Sequence, residues 1–205
     1  MATVIQNTET SKDKYTTYRE LTGRHKLAMK HGFFFEALLI DYAVLEDRLA
    51  AFLWAAGALN DIDRFGLGNK RNKTQLFELY SAYTGKDKLA NLKNISAKID
   101  MVLAMISFAE TEYDGDDRYL TALHKGLQKL DLESLKADLA ELHSWREYRN
   151  EVIHGAMTKN IYSLYEELED KAALGLAYAR TIDKESQKLK RQKHIRRSVN
   201  MPSKK

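Results

Sequence analysis

The chain has no cysteine, which excludes disulfides, thiolate nucleophiles and cysteine zinc sites and fits a reducing, cytoplasmic setting. Its only proline, Pro202, stands beside the C-terminus. With no interior proline to break them, segments rich in Leu, Ala, Lys and Glu read as long helices. The alternating pattern of a half-buried strand is missing at any useful length, and so is an internal repeat. A basic start followed by an apolar run is also missing, so no export signal is expected. The most apolar stretch, 33–45, is interrupted by Glu36 and Asp41 and is too short and too polar to span a bilayer. No Walker loop, dinucleotide fingerprint or Ser-His-Asp signature occurs.

What remains is an ordinary globular composition, with 44% hydrophobic and 30% charged residues in a chain of 205. That length suffices for one domain with a real core. The net charge of +4 is unevenly placed. Between Lys184 and Lys205 nine Lys and Arg stand against one acid, Glu185, so the rest of the chain is net acidic. The basic pI of about 9.0 therefore belongs to the C-terminal segment. The expected organisation is a flexible 1–10, a helical domain over 11–183 and a basic tail over 184–205.

Periodicity and caps predict the helices. Ser11 opens one over 12–30, with Tyr15, Tyr18, Leu21 and Leu27 on a rough apolar face, and His31-Gly32 ends it. A second, over 33–59, is apolar nearly all round through Phe34, Ala37, Leu38, Ile40, Leu45, Leu49 and Leu53, as befits a central helix. A polar loop with Gly66 and Gly68 leads to a short helix that opens at Thr74 and ends at Gly85. The next helix, over 87–110, places Leu89, Leu92, Ile95, Ile99, Val102 and Ile106 at three- and four-residue steps. After an acidic turn, a short helix is expected over 119–130. Asp131 then caps a long one running to His154, which Gly155 ends. The last runs from about Tyr162 into the tail. The expected fold is all-α, an up-and-down bundle of about five to seven helices.

One segment gathers chemistry. In Arg149-Asn150-Glu151-Val152-Ile153-His154 an Arg, a polar amide and a His fall within six positions at a helix end. RNEVIH resembles the signature of the HEPN family: an Arg, a polar residue, and a His four to six residues beyond the Arg. The stretch FFFEALLIDYAVLEDRL resembles that family's first long core helix, which often carries an acid such as Glu46. The resemblance spans about 30–180, and only the Arg-Asn-x-x-x-His portion is specific. It implies a homodimer whose two motifs meet across one cleft, and a metal-independent endoribonuclease of toxin–antitoxin or antiviral systems. An antitoxin or defence partner is implied as well. In some members a partner modifies a tyrosine two residues after the His; here that position is Ala156, which argues against that mode of control.

The residues suit such chemistry. A His titrating near neutrality serves as general acid or base. Arg149 offers a planar fork for phosphate oxygens, and Asn150 can orient His154 or the phosphate. Successive helical residues turn by about 100°, so Arg146, Asn150 and His154 share one stripe. Arg149 stands about 140° from His154, so loosening of the last turn, a long reach or a second subunit must bring them together. Glu46 and Arg146 are supporting candidates, with Arg48, Arg146 and Arg149 as possible cations for Glu46. In the tail, Lys188, Lys190, Arg191, Lys193, Arg196 and Arg197 are candidates to follow an RNA backbone. No cofactor, metal or membrane contact is expected.

Plainer readings exist for each. His154 at a helix C-terminus interacts favourably with the helix dipole, and Arg149 can pair with Glu147 or Glu151. Glu46 can be a core-edge ion pair, and the tail a solvated, fraying helix extension. Glu151 and His154 form a single Glu-x-x-His, whereas a di-iron bundle needs two copies and further glutamates. His25, His31, His124, His143 and His194 show no ligand spacing. A non-catalytic RNA binder or scaffold of the same family is the alternative function.

Overall fold

Asp131 illustrates how local chemistry sets the helices: its carboxylate accepts from the Ser134 N–H at 3.2 Å, capping a long predicted helix where the sequence placed its start. The computed structural model describes residues 11–59, 72–87, 92–158 and 160–200. The expectations for 1–10, Gly66, Gly68, Leu89, Lys204 and Lys205 lie outside the described residues. Within them the chain is helical, without a strand. The helices are α1 (Ser11–Lys30), α2 (Phe34–Ala55), α3 (Lys73–Thr84), α4 (Ile95–Ala109), α5 (Arg118–Leu127), α6 (Leu132–Gly155), α7 (Ile161–Tyr165), α8 (Leu168–Arg191) and α9 (Lys193–Asn200).

This exceeds the five to seven helices expected, because the single C-terminal helix is three. Asn160 caps the short α7 by accepting from the Tyr162 N–H at 2.9 Å. Gln192 departs from helical geometry and separates α8 from α9. α2 and α4 are shorter than expected. α4 begins at Ile95 because Asn94 caps it, accepting from Ala97 N–H at 2.7 Å. α2 stops at Ala55, and Gly57 then adopts φ 79°, a left-handed conformation suited to a residue without Cβ.

α2 is the central helix, with Leu38, Leu45, Leu49, Phe52 and Leu53 fully buried. Its tightest neighbour is α8. Ala37 and Ala172 are buried together with Ala28 of α1. Further along, a Cβ at Gly175 would lie 2.5 Å from the Cβ and Cγ of Asp41, so only glycine admits this approach. Asp41 faces Gly175 and Arg48 reaches Asp183 at 2.8 Å, so α2 and α8 run in the same direction. α6 runs against α8: Trp145 Nε1 donates to the Lys171 carbonyl at 2.7 Å near one end, and Glu185 accepts from Asp131 N–H at 3.1 Å near the other. It also runs against α4, through His143 with Asp100 and Lys136 with Glu110.

The end of α2 shows what the basic segment does in the fold. Four carbonyls at a helix C-terminus lack intrahelical partners. Here Tyr119 donates to the Ala56 carbonyl at 2.9 Å, Asn72 to Gly57 at 2.9 Å, and Arg196 to Trp54 and Leu59 at 3.2 and 2.9 Å. Burial pushes the Tyr119 phenol well above its usual range. Ile195 and Val199 of α9 are buried in the same core as α2, Ile195 against Gly126 of α5 and Val199 against Gly57. The boundary expected between 183 and 184 falls inside α8, and up to Asn200 the basic segment is part of the packed bundle, not a fraying extension.

Candidate functional site

Arg149, Asn150 and His154 all lie in the last two turns of α6. Val152 between them and Gly155 just after are buried, which fixes that end of the helix against the core. The helix closes through Ala156, in right-handed helical geometry, and a turn in which Thr158 N–H donates to the Gly155 carbonyl at 2.9 Å.

The Arg149 side chain lies across the bundle rather than along α6. Its guanidinium stacks on the ring of Tyr42 from α2, 4.0 Å from the centroid, a cation–π contact. Nη1 donates to the Asn150 side-chain oxygen at 3.1 Å. Its Nε is buried and makes no hydrogen bond. Arg146, one turn earlier, contacts Glu147 at 3.1 Å, and its Nε is likewise buried without a partner. Burial and the Glu46 carboxylate push the Tyr42 phenol upward against the opposing pull of Arg149 and Arg146. The ring is thus held neutral beneath the guanidinium.

His154 is exposed. Its Cα stands about 140° around α6 and roughly 7.5 Å along it from that of Arg149. One copy of the chain links Arg149 to Asn150 and leaves His154 apart. The residues that follow it in the chain include exposed apolar and aromatic ones: Met157 is 94% and Tyr162 85% exposed. α7 is pinned there by Tyr148, whose hydroxyl donates to the Leu164 carbonyl at 2.8 Å. Burial, reinforced by Glu167 and Glu151, pushes that phenol up to about 12.

Glu46 does not pair with Arg48, Arg146 or Arg149. Its carboxylate meets Lys98 Nζ at 2.7 Å, and the Lys98 side chain is fully buried. A buried ammonium requires such a partner, so Glu46 is fixed from α4. Arg48 points elsewhere, to Asp183, Asp47 and the ring of Tyr18. Sequence reading missed Tyr42 and Lys98. The first could have been found, since Tyr42 and Glu46 are four apart on one face of α2. The second had a weaker signal, a lone lysine in the apolar run around Ile95–Ala109.

Of the tail candidates, Lys190, Arg191, Lys193 and Arg197 are exposed. Lys188 is bonded to Glu185, itself 1% exposed, at 2.8 Å. Arg196 is turned inward to the α2 carbonyls and stacks on Trp54 at 4.5 Å, so it serves the fold rather than a phosphate.

Two further clusters involve histidine. His143 and Lys86 each sit 3.1 Å from Asp100, to which Tyr80 also donates at 3.3 Å. Burial would raise the Asp100 carboxyl, but His143 and Lys86 outweigh it and hold it below the usual range. His25 Nε2 lies 3.1 Å from buried Asp41 and 3.2 Å from the Ala172 carbonyl. No group of three or more metal-ligating side chains occurs among the described residues, and no helix among them is long and apolar enough to cross a membrane. Comparison with family models, with curated proteins and with solved structures gave no match.

Proposed function

We propose that the chain is a metal-independent endoribonuclease of HEPN type, acting as a homodimer in which two α6 ends face one RNA strand. The observation that carries this reading is the Arg149–Asn150 pair seated on Tyr42, with two buried arginine Nε groups lacking partners and His154 exposed at the same helix end. Arginine stacked on an aromatic ring presents its remaining donors in a fixed orientation, which suits a phosphate whose charge grows in the transition state.

In this reading one His154 imidazole accepts the proton of a ribose 2′-hydroxyl. The freed oxygen attacks the adjacent phosphorus, and the bond to the 5′-oxygen breaks. The His154 imidazolium of the second copy gives that oxygen its proton. The products are a 2′,3′-cyclic phosphate and a 5′-hydroxyl. Arg149 stabilises the phosphoryl oxygens, Asn150 holds Arg149 in place, and Glu46 with Lys98 braces the helix that carries Tyr42. Two copies are required because Arg149 and His154 diverge on one α6. Exposed Phe33, Leu39, Met157, Tyr162 and Tyr165 on the elements framing this end favour a partner surface there. A role in a toxin–antitoxin or antiviral system, inside the cytoplasm and under a partner's control, follows from the same resemblance.

A second reading, a non-catalytic RNA binder or scaffold of the same fold, is favoured by the use Arg149 already has inside the chain, in its contacts with Tyr42 and Asn150. Labelled RNA incubated with the protein in EDTA separates the two. Cleavage with cyclic-phosphate ends, absent from the Arg149→Ala/His154→Ala variant, supports the nuclease. RNA retained intact but bound supports the binder.

A further inference from the structure

The exposed cations of the C-terminal segment form one surface with a neighbouring helix, at the opposite end of the bundle from His154. α9 turns Ile195 and Val199 into the core, and this sets its outward face. Lys193 and Arg197, four residues apart, are therefore exposed side by side. Lys190 and Arg191 are exposed in the last turn of α8. α5 and the turn after it add to them: Gly126 contacts Ile195, and Lys129 Nζ donates to the Gln192 side chain at 3.1 Å. Lys125 and Lys129, four apart and both exposed, thus border α9. The nearby acid Glu185 is buried and already engaged by Lys188 and the Asp131 N–H, so it does not neutralise this surface.

The position follows from the pairing of helices. Glu185 and Lys188 stand at the Asp131 end of α6, and His154 stands at the other. A helix of that length separates them by about 35 Å.

We propose that Lys125, Lys129, Lys190, Arg191, Lys193 and Arg197 form a sequence-indifferent RNA-backbone site that holds a substrate some 35 Å from the cleavage site. The inference rests on the nuclease reading for what is cut, but the surface binds RNA whether or not the chain cuts it. RNA is favoured over an anionic membrane because the apolar face of α9 is consumed by the core, leaving nothing to insert among lipid chains. Beside this surface Trp54 is covered by Arg196 and Tyr119 is buried, so neither offers bases a stacking platform and the contacts are chiefly to phosphates. Such binding releases counterions, and its logarithm falls with the logarithm of salt by about 0.7 per phosphate contact on a single strand. Substrates that reach both surfaces gain from both; shorter ones use the cleavage site alone.

The test uses the full chain and the variant Lys190→Glu/Arg191→Glu/Lys193→Glu/Arg197→Glu. Those side chains are exposed, so the fold is expected to persist, and circular dichroism checks it. With labelled polyuridylate of about 30 nucleotides the variant is expected to bind more than tenfold more weakly and with a shallower salt slope. For the wild type, kcat/KM is expected to rise with RNA length until both surfaces are reached, and the variant to lose that rise. Unchanged affinity and salt slope in a folded variant would overturn the proposal. So would loss of binding only to phosphatidylserine vesicles. If RNA binding falls as expected while neither protein cuts RNA, the surface stands and the nuclease reading fails. Cleavage by both proteins with equal RNA affinity leaves the nuclease and removes the surface.

Discussion

Two arginines of this chain stack on aromatic rings of α2, at distances of 4.0 Å for Arg149 on Tyr42 and 4.5 Å for Arg196 on Trp54. Their surroundings differ in what meets the guanidinium edge. Arg196 faces the backbone carbonyls of Trp54 and Leu59, in and just beyond the last turn of α2, where intrahelical donors run out. Arg149 meets one side-chain oxygen, that of Asn150, and keeps a buried Nε without a partner. Stacking fixes both groups, but only Arg149 keeps a buried donor without a hydrogen-bond partner. Under the proposed function, Arg149 is held in place for a phosphate. Arg196, bonded through Nη1 to two backbone carbonyls, caps the end of α2.

This contrast breaks most visibly in activity. Under the proposed function, His154→Ala or Arg149→Ala is expected to lower RNA cleavage by about 10²–10⁴-fold, while Arg196→Ala acts on cleavage only through loss of folded protein. Gel assays on folded samples at one temperature make the comparison. Equal loss for Arg149 and Arg196 variants, at equal fraction folded, would remove the distinction.

Stability should show the reverse order. Arg196→Ala takes the side-chain donor from the Leu59 carbonyl, leaves the Trp54 carbonyl with the Gly57 N–H alone and uncovers the Trp54 ring, a cost of about 2–3 kcal/mol. In a chain of this size each kcal/mol lowers the melting temperature by roughly 2–4 °C. Arg149→Ala removes a guanidinium whose Nε is unpaired, and the melting temperature is expected to move less. Thermal melts of the two variants beside the wild type decide it.

The contrast also explains what could be read from the sequence. The ends of α6, its Asp131 cap and the Gly85 stop of α3 were legible because each is decided within a few residues. The seating of Arg149 on Tyr42 and of Glu46 on Lys98 was not, since the partners come from other helices; the latter pair is 52 positions apart. The basic segment was read by charge, which hid its second pattern. Ile195 and Val199 are four apart, as are Lys193 and Arg197, and that amphipathic period marks a docked helix. Which of its cations turned inward depended on the end of α2 and could not be read locally.

The close approach of α2 and α8 is a third region against which both arginines can be weighed, since neither stack touches it. Gly175→Ala would place a Cβ 2.5 Å from Asp41 carbons. Backbone must shift to admit it, at a cost of about 1–3 kcal/mol, so chemical denaturation should give a lower midpoint. Because α2 carries both Tyr42 and Trp54, the shift should weaken the two stacks together rather than one of them.

The smallest effect is expected at the same contact, where His25 of α1 meets Asp41 and the Ala172 carbonyl of α8. Burial alone would lower the imidazole, but Asp41 and that carbonyl outweigh it, and Arg180 opposes them only in part, so its pKa is raised. Burial also raises the Asp41 carboxyl, against the pull of His25. A histidine raised in the folded state contributes stability that is fully present below its unfolded value near 6.5 and is lost as pH rises through the folded value. The raised carboxyl acts in the same direction at lower pH. Wild-type stability is therefore expected to decline from mildly acidic pH through neutrality, and His25→Gln to flatten that decline. Denaturant midpoints measured across pH 5.5–8 test the sign; a midpoint that rises over this range would show that the imidazole is buried neutral and that its pKa is lowered in the fold.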